Sequence, residues 1–286
     1  MNTPLISPAP FYAQADDGCC LAVHTLRPVP GSTAAPVLFL HALAMEGPLM
    51  WRGTADALAH APAAAAAPLY ALDCRGHGAS GKPAGPYTTR RFAQDIGCVL
   101  DALEAPRAHL VGCSMGGTVA LAFAGLHPER VASLTLLDAT AWYGPDAPAN
   151  WEQRASKAEE SGMAALVEFQ RTRWLSPEFM AREPVRLQQA LDVFCANDVA
   201  AYAATCRMLG AADERAALAV YTGPAAVAVG EQDYATPLAM AEAMAQALAN
   251  AHLTVIPAAR HFTPLEAPAA VAACVAQAMA RAGGAA

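Results

Sequence analysis

The sequence predicts an α/β fold, in which helices cover both faces of a mostly parallel β-sheet. Short apolar runs of strand length recur along the chain, and each is bounded by turn residues. Segments with helical periodicity lie between these runs. The 286 residues suffice for one large α/β domain, or for one domain with a modest insertion.

The composition is typical of a compact globular protein, with 55% hydrophobic and 15% charged residues. The net charge of −7 provides no basic surface for nucleic acid. No apolar run is long enough to cross a bilayer, and residues 1–17 lack the features of a signal peptide. The eight cysteines are scattered without metal-finger spacing. We therefore expect a cytoplasmic protein with reduced thiols that binds no metal, nucleic acid or membrane.

The predicted elements follow one another in a regular order. Residues 12–26 are expected to form a β-hairpin, with its turn at Asp17-Gly18. Six predicted strands, each expected to be buried on both faces, span residues 37–41, 69–72, 108–111, 134–137, 225–229 and 253–256. Helical periodicity covers residues 89–103, 115–126, 237–248 and 267–279.

One region interrupts this alternation. Residues 141–212 show helical patterns without a convincing strand, and they contain Trp142, Trp151 and Trp174. We expect a helical cap inserted between two strands, above their carboxyl ends, where ligands bind in such sheets. The predicted core therefore comprises residues 1–140 and 213–286, and the cap comprises residues 141–212.

The sharpest motif lies at residues 109–117, where an apolar strand, a G-x-S-x-G sequence and a small-residue helix start follow one another. A serine on this tight turn exposes its Oγ, and the flanking glycines relieve backbone crowding. The following helix presents N–H groups to developing negative charge. Ser114 is thus the predicted nucleophile. Its neighbour Cys113 is the rival, but we expect that thiol to pack sideways.

His261 is the predicted base, because a serine hydroxyl is a weak nucleophile until its proton is removed. It follows the last predicted strand and precedes the last helix. His41 lies near the site and is expected to shape a loop. The remaining histidines occupy strand, loop or surface positions, where a structural role is expected: His24, His60, His77, His109, His127 and His252.

A buried carboxylate is needed to hold the imidazole in one tautomer. Asp233 directly follows the penultimate strand and is the favoured candidate. Glu231 in the same turn and Asp138 after an earlier strand are its rivals. The order serine, aspartate, histidine is the one expected for this type of sheet.

An oxyanion hole is the third requirement for acyl transfer. The backbone N–H of Met115, directly after the nucleophile, supplies one predicted donor. The loop after the first buried strand supplies the other, and Leu43 is the favoured residue there.

With these residues in place, the chain resembles the α/β-hydrolase superfamily over nearly its whole length. The matching features are His41-Ala42, the segment DCRGHGAS at residues 73–80, Ser114, Asp233 and His261. The resemblance implies a mostly parallel eight-stranded sheet with a helical cap insertion. Ala42 departs from the usual glycine. The serine nucleophile separates the chain from the epoxide hydrolases and haloalkane dehalogenases, which use aspartate.

Cap segments within residues 151–166, 173–179 and 197–206 resemble the 3-oxoadipate enol-lactonase branch. This resemblance implies ring-opening hydrolysis of a small lactone in aromatic catabolism. General carboxylesterases share the branch, and loop 41–51 departs from the lactonase pattern. The three cap tryptophans could form an aromatic wall over the substrate or pack the cap helices together. Four arginines could pair with a substrate carboxylate, although a solvated helix face is the expectation for most of them: Arg154, Arg171, Arg173 and Arg207.

The sequence thus predicts a serine hydrolase that needs no cofactor and forms an acyl-enzyme on Ser114. A small ester or lactone is the expected substrate, with an enol-lactone as the leading candidate. A broad carboxylesterase, a C–C bond hydrolase and a perhydrolase use the same three residues and stay open. A ligand receptor or an interaction scaffold of the same fold is less favoured, because neither needs the complete set. The sequence also leaves open whether the protein forms a homodimer.

Overall fold

Eight strands form one sheet in the computed structural model, which describes residues 9–284. The strands are β1 (Phe11–Gln14), β2 (Cys20–Arg27), β3 (Val37–Leu40), β4 (Leu69–Leu72), β5 (Ala108–Cys113), β6 (Val131–Leu137), β7 (Ala225–Gly230) and β8 (Ala251–Ile256). Their order across the sheet is β1-β2-β4-β3-β5-β6-β7-β8. The strand β2 pairs antiparallel with β1 and β4, and the remaining pairs are parallel. The predicted fold class is confirmed.

The opening hairpin turns where the sequence predicts it, at Gly18, whose positive φ of 85° favours glycine. The Gly18 N–H donates to the Ala15 carbonyl at 3.0 Å and closes the turn. Residues 1–8, which belong to the segment without predicted signal-peptide features, lie outside the described residues.

Twelve α-helices occupy the described part of the chain. They are α1 (Gly47–Leu58), α2 (Thr89–Ala102), α3 (Met115–Leu126), α4 (Ala147–Ser161), α5 (Val167–Trp174), α6 (Pro177–Arg182), α7 (Pro184–Cys195), α8 (Val199–Ala211), α9 (Arg215–Val220), α10 (Leu238–Ala247), α11 (Thr263–Glu266) and α12 (Pro268–Gly283). None of these helices between residues 9 and 284 is long and apolar enough to span a membrane. All eight cysteines are free thiols.

The helices α4 to α8 follow β6 without an intervening strand, across the described stretch for which the sequence predicts a helical insertion. The helix α4 packs along α8. Gly210 permits this close approach, because a Cβ there would lie 3.1 Å from the Cβ of Trp151. An isolated backbone bridge between Trp142 and Asp213 joins the two ends of this segment.

Two features of the sheet region differ from the sequence prediction. The sequence does not predict the helices α1, α9 and α11. The helix α1 buries one face, and its Trp51 stacks on Phe39 of β3 with ring centroids 4.9 Å apart. The expectation that the last strand is buried on both faces was wrong. The strand β8 pairs with β7 alone within the described sheet, so it forms an edge, and its Val255 is 40% exposed.

Candidate active site

Ser114 lies on the sharp turn that joins β5 to α3, with a φ of 53° and a ψ of −117°. This backbone conformation is costly for a residue with a side chain. Glycine is required at both flanking positions, because other backbone segments lie too close to leave room for a side chain. A Cβ at Gly112 would lie 2.2 Å from the carbonyl oxygen of Gly116, and a Cβ at Gly116 would lie 2.2 Å from that of Leu40. The turn therefore depends on these two glycines.

We expect Gly116→Ala to lower the free energy of unfolding by more than about 3 kcal/mol, because the added methyl group meets rigid backbone. Gly97→Ala is the matched control. It lies within α2, where the nearest atom to the new Cβ is 3.8 Å away, so we expect a gain of about 0.5–1 kcal/mol. Urea unfolding measures both variants. Equal stability of Gly116→Ala and the wild type would show that the turn is not built as described.

The three predicted catalytic residues are brought together in a hydrogen-bonded line. His261 Nε2 lies 2.9 Å from Ser114 Oγ, and His261 Nδ1 lies 2.8 Å from Asp233 Oδ2. All three residues are buried, with 5–7% of each exposed. The arrangement favours the tautomer in which Nδ1–H donates to Asp233 and Nε2 accepts from the Ser114 hydroxyl.

Electrostatic interactions shift the pKa values of Asp233 and His261 in opposite directions. Burial alone would raise the pKa of Asp233, but the charge of His261 and hydrogen bonds from Thr236 hold that pKa below its ordinary value. Burial alone would lower the pKa of His261, but the charge and hydrogen bond of Asp233 raise that pKa above its ordinary value. Asp233 is therefore a carboxylate that stabilises a protonated imidazole.

The rival carboxylates take other roles. Asp138 is fully buried at the end of β6 and accepts the Gly230 N–H at 3.0 Å and the Thr263 hydroxyl at 2.6 Å. Burial and the charge of Asp233 raise the pKa of Asp138 well above its usual range. Glu231 instead accepts a backbone N–H at 3.0 Å. Of these three candidates, which all lie in the described part of the chain, Asp233 is the one in contact with His261.

Cys113 is packed away from the site. Its side chain is fully buried, with Sγ 3.8 Å from both Asp138 Oδ2 and the carbonyl oxygen of His261. Burial raises the pKa of this thiol well above its ordinary value, so it is a poor nucleophile.

His41 holds the loop that follows β3. Its Nε2 accepts the backbone N–H of Cys74 at 2.9 Å, which leaves Nδ1–H to donate to the Ala42 carbonyl at 2.8 Å. The ring is fully buried, and burial lowers its pKa. His77 is buried beside it and contacts the Arg75 carbonyl at 2.9 Å. Both rings have structural contacts of this kind and neither contacts Ser114.

Both predicted oxyanion donors belong to segments that reach the nucleophile. Met115 begins α3, and Leu43 lines the same cavity as Ser114. Within residues 9–284, neither backbone N–H has a hydrogen-bond acceptor. Asn197 ties the donor loop to the cap helices, because its Nδ2 donates to the Ala44 carbonyl at 2.9 Å. Both amides are therefore available to an incoming carbonyl oxygen.

A cavity of about 720 Å³ lies between Ser114 and the cap helices. Trp151 and Trp174 line it, whereas Trp142 lies under the Arg215 guanidinium, 4.1 Å from it, and is not part of the wall. Trp174 stacks on Phe262, the neighbour of His261, with ring centroids 5.0 Å apart. Two of the three cap tryptophans thus form part of the aromatic wall of the cavity that His261 also lines.

Three cations also line this cavity: Arg154, Lys157 and Arg173. In the part of the chain that the structure describes, no carboxylate lies within 4.0 Å of any of them. Arg154 is held 4.7 Å above the Trp151 ring, and its Nη2 donates to the side-chain oxygen of Gln170 at 3.1 Å. Burial lowers the pKa of Arg173. A half-buried guanidinium that faces a cavity and has no carboxylate partner favours an anionic ligand.

The other two cap arginines behave as the sequence suggests. Arg171 pairs with Glu168 at 3.0 Å, and Arg207 pairs with two glutamates of α4 at the surface. Arg171 and Arg207 thus lie on solvated helix faces, as expected for most of the four arginines, whereas Arg154 and Arg173 line the cavity. Helical periodicity could not distinguish the surface arginines from the cavity-lining ones, because the position of the cavity depends on how the cap helices pack.

Comparison with known proteins agrees with this geometry. The model of a family described as alpha/beta hydrolase fold matches residues 35–268. A 3-oxoadipate enol-lactonase of Acinetobacter baylyi is 32% identical over 196 residues, which cover 68% of this chain and 72% of that protein.

Two solved structures share the fold over nearly the whole chain. The enol-lactonase of Burkholderia xenovorans superimposes with a TM-score of 0.86 at 31% identity, covering 94% of this chain and 100% of that one. A hydrolase of Pseudomonas aeruginosa gives 0.83 at 30% identity, covering 97% and 99%. This protein therefore belongs to the alpha/beta hydrolase fold family and is a hydrolase that acts on ester bonds.

Proposed function

We propose that the protein hydrolyses a small lactone through an acyl-enzyme on Ser114. The observation that carries this proposal is the hydrogen-bonded line from Ser114 Oγ through the imidazole of His261 to the carboxylate of Asp233. This line supplies a nucleophile, a base and a group that orients the base. It opens onto a cavity of a size suited to a small molecule.

Each step of the proposed reaction has a residue to perform it. His261 takes the Ser114 proton as Oγ attacks the carbonyl carbon, and the N–H groups of Leu43 and Met115 stabilise the oxyanion. His261 then passes the proton to the leaving oxygen as the acyl C–O bond breaks. Water, deprotonated by His261, then attacks the acyl carbon. The bond from that carbon to Ser114 Oγ breaks, His261 returns the proton to Oγ, and the acid is released.

An enol-lactone that carries a carboxylate is the proposed substrate. Similar proteins named as enol-lactonases support the lactone. The guanidinium groups of Arg154 and Arg173, which have no carboxylate partner among the described residues, support the carboxylate. Both side chains lie over aromatic rings of the cavity, which restricts their motion and reduces the entropy lost on binding. An acyclic ester with the same charge would meet the same groups.

The test compares a five-membered enol-lactone carrying a carboxymethyl group with its neutral alkyl analogue of equal length. In Arg154→Met and Arg173→Met we expect kcat/KM for the charged lactone to fall about 10- to 100-fold, because each charge-assisted hydrogen bond is lost. Hydrolysis of the neutral analogue should change little. Arg171→Met is the matched control, since Arg171 pairs with Glu168 outside the cavity and should leave both rates unchanged.

The outcomes separate the alternatives. Turnover of p-nitrophenyl butyrate without turnover of either lactone would identify a carboxylesterase. Equal losses for charged and neutral lactones in the two arginine variants would refute recognition of a carboxylate. A fluorophosphonate probe should add one adduct per chain, located by mass spectrometry on Ser114. An adduct elsewhere would refute the acyl-enzyme.

A further inference from the structure

Tyr143 lies where the chain leaves β6 and approaches α4, on the cap side of the nucleophile. Its ring meets Trp151 edge-on, with centroids 5.3 Å apart and an interplanar angle of 85°. Tyr143, Trp151 and Ser114 line the same cavity. This packing fixes the direction of the Tyr143 ring, so the position of its hydroxyl is defined by the fold.

The Tyr143 hydroxyl is buried and has no hydrogen-bond partner among the described residues. It faces the hydroxyls of Ser114 and Thr118, whose proximity lowers the pKa of Tyr143 against the effect of burial, but it forms no well-aligned hydrogen bond with either. The Thr118 hydroxyl donates instead to the Thr140 carbonyl at 2.9 Å. Three other buried tyrosines do have partners for their hydroxyls: Tyr87 with Pro83, Tyr202 with Gln170 and Tyr221 with Pro224.

An unpaired buried hydroxyl is destabilising unless something in the cavity pairs with it. The hydroxyl faces the nucleophile, so its partner must be an atom of the reacting group. The carbonyl oxygen is already assigned to the N–H groups of Leu43 and Met115. The oxygen that leaves the acyl carbon is the remaining polar atom of an ester or lactone, and it must also lie near His261 to receive a proton.

We infer that Tyr143 is a further catalytic residue, which donates a hydrogen bond to the leaving oxygen while the acyl C–O bond breaks. The inference rests on the proposed acyl-enzyme at Ser114. The proton that the leaving oxygen gains comes from His261, and Tyr143 keeps its own. Burial raises the pKa of Tyr143 to about 12, so the phenol remains a donor at neutral pH. Its hydrogen bond strengthens as negative charge develops on the leaving oxygen.

The test is the dependence of rate on the leaving group. A series of acetate esters, from p-nitrophenyl through phenyl to ethyl acetate, keeps the acyl group constant. In Tyr143→Phe we expect kcat/KM for ethyl acetate to fall about 10- to 100-fold, since the charged leaving oxygen loses a donor. The value for p-nitrophenyl acetate should stay near wild type, because p-nitrophenolate leaves without help. Deacylation of the common acetyl-enzyme should be unchanged.

Tyr221→Phe is the matched control, because its buried hydroxyl bonds only to Pro224 in the described structure and lies outside the cavity. It should leave the leaving-group dependence as in wild type. Tyr143→Phe removes an unpaired group and should unfold at the wild-type temperature or above. Should it fail to fold, Tyr143→Leu allows the same comparison.

A uniform loss across the series would place the hydroxyl at the carbonyl oxygen and overturn the inference, and so would an unchanged series. Failure of the wild type to hydrolyse any member, with no labelling of Ser114, would instead overturn the proposed function.

Discussion

Ser114→Ala is expected to lower kcat about 10⁶-fold on any substrate that the wild type hydrolyses, because no other group can form the acyl-enzyme. The alanine variant should fold as the wild type does. In the described structure Ser114 Oγ forms a well-aligned hydrogen bond with His261, and removal of the hydroxyl breaks this bond. Stopped-flow and long-incubation assays with purified protein cover the required range of rates.

Cys113→Ala is the control for this prediction. The thiol is fully buried and directed away from the cavity, so its loss should cost about 1 kcal/mol of stability and little activity. If Ser114→Ala retained the wild-type rate, a different nucleophile would be at work. If Cys113→Ala lost as much as Ser114→Ala, the orientation of residues on the turn would be wrong.

Much of this site could be predicted from the sequence because its signals are local. Buried strands of a parallel sheet are short apolar runs, and the G-x-S-x-G turn needs glycines within two positions of the serine. The acid and base could be placed because each directly follows a strand, and parallel strands end at the same edge of the sheet. For this reason Asp233, His261 and Ser114 could be linked across more than a hundred residues.

The features that the sequence missed depend on packing between distant segments. The helix α1 begins with Gly47-Pro48, a pair that suggests a turn in the sequence. The packing of Trp51 on Phe39, which buries one face of this helix, is visible only in the structure. In α5, Arg171 and Arg173 are two residues apart on one helix. Arg171 pairs with Glu168 at the surface, whereas Arg173 faces the cavity. This difference depends on where the neighbouring cap helices lie, which the local sequence does not show.

Tyr143 was missed for a related reason. A tyrosine beside a tryptophan in a predicted cap is normally a packing residue, and nothing local distinguishes it. What distinguishes it is a buried hydroxyl near Ser114 that has no well-aligned hydrogen-bond partner among the described residues. An unsatisfied polar atom becomes visible only after the partners of every neighbouring group have been assigned.

Asp233→Asn is expected to lower kcat about 10⁴-fold while the backbone geometry is kept. The N–H groups of Ala235 and Thr236 donate to Oδ1 of Asp233 at 2.8 and 3.1 Å. The carbonyl oxygen of the new asparagine will therefore take that side, and its NH₂ group will face His261. An NH₂ group cannot accept from Nδ1–H, so the imidazole is driven to the tautomer with its proton on Nε2. That nitrogen can then no longer accept the Ser114 proton.

Asp138→Asn and Glu231→Gln are the matched controls, because each removes a carboxylate that the sequence left as a rival. Glu231→Gln should retain wild-type activity, since its carboxylate meets only the Ala258 N–H in the described structure. Asp138→Asn should lose about 1–3 kcal/mol of stability, since its oxygens accept from Gly230 and Thr263. Its kcat should fall far less than that of Asp233→Asn.

The pH dependence gives an independent test of the same assignment. His261 acts as a base only when neutral, so activity falls as the pH drops below its pKa. The charge of Asp233 raises this pKa, and the acid limb of the wild-type kcat/KM profile should therefore lie above the ordinary histidine value of 6.5. Removing the charge in Asp233→Asn should move the acid limb of the residual activity to lower pH. The assignment would be contradicted if the acid limb stayed in place in Asp233→Asn but moved in Asp138→Asn. Asp138, the other acidic group that acts electrostatically on His261, would then be the residue that raises the pKa of His261.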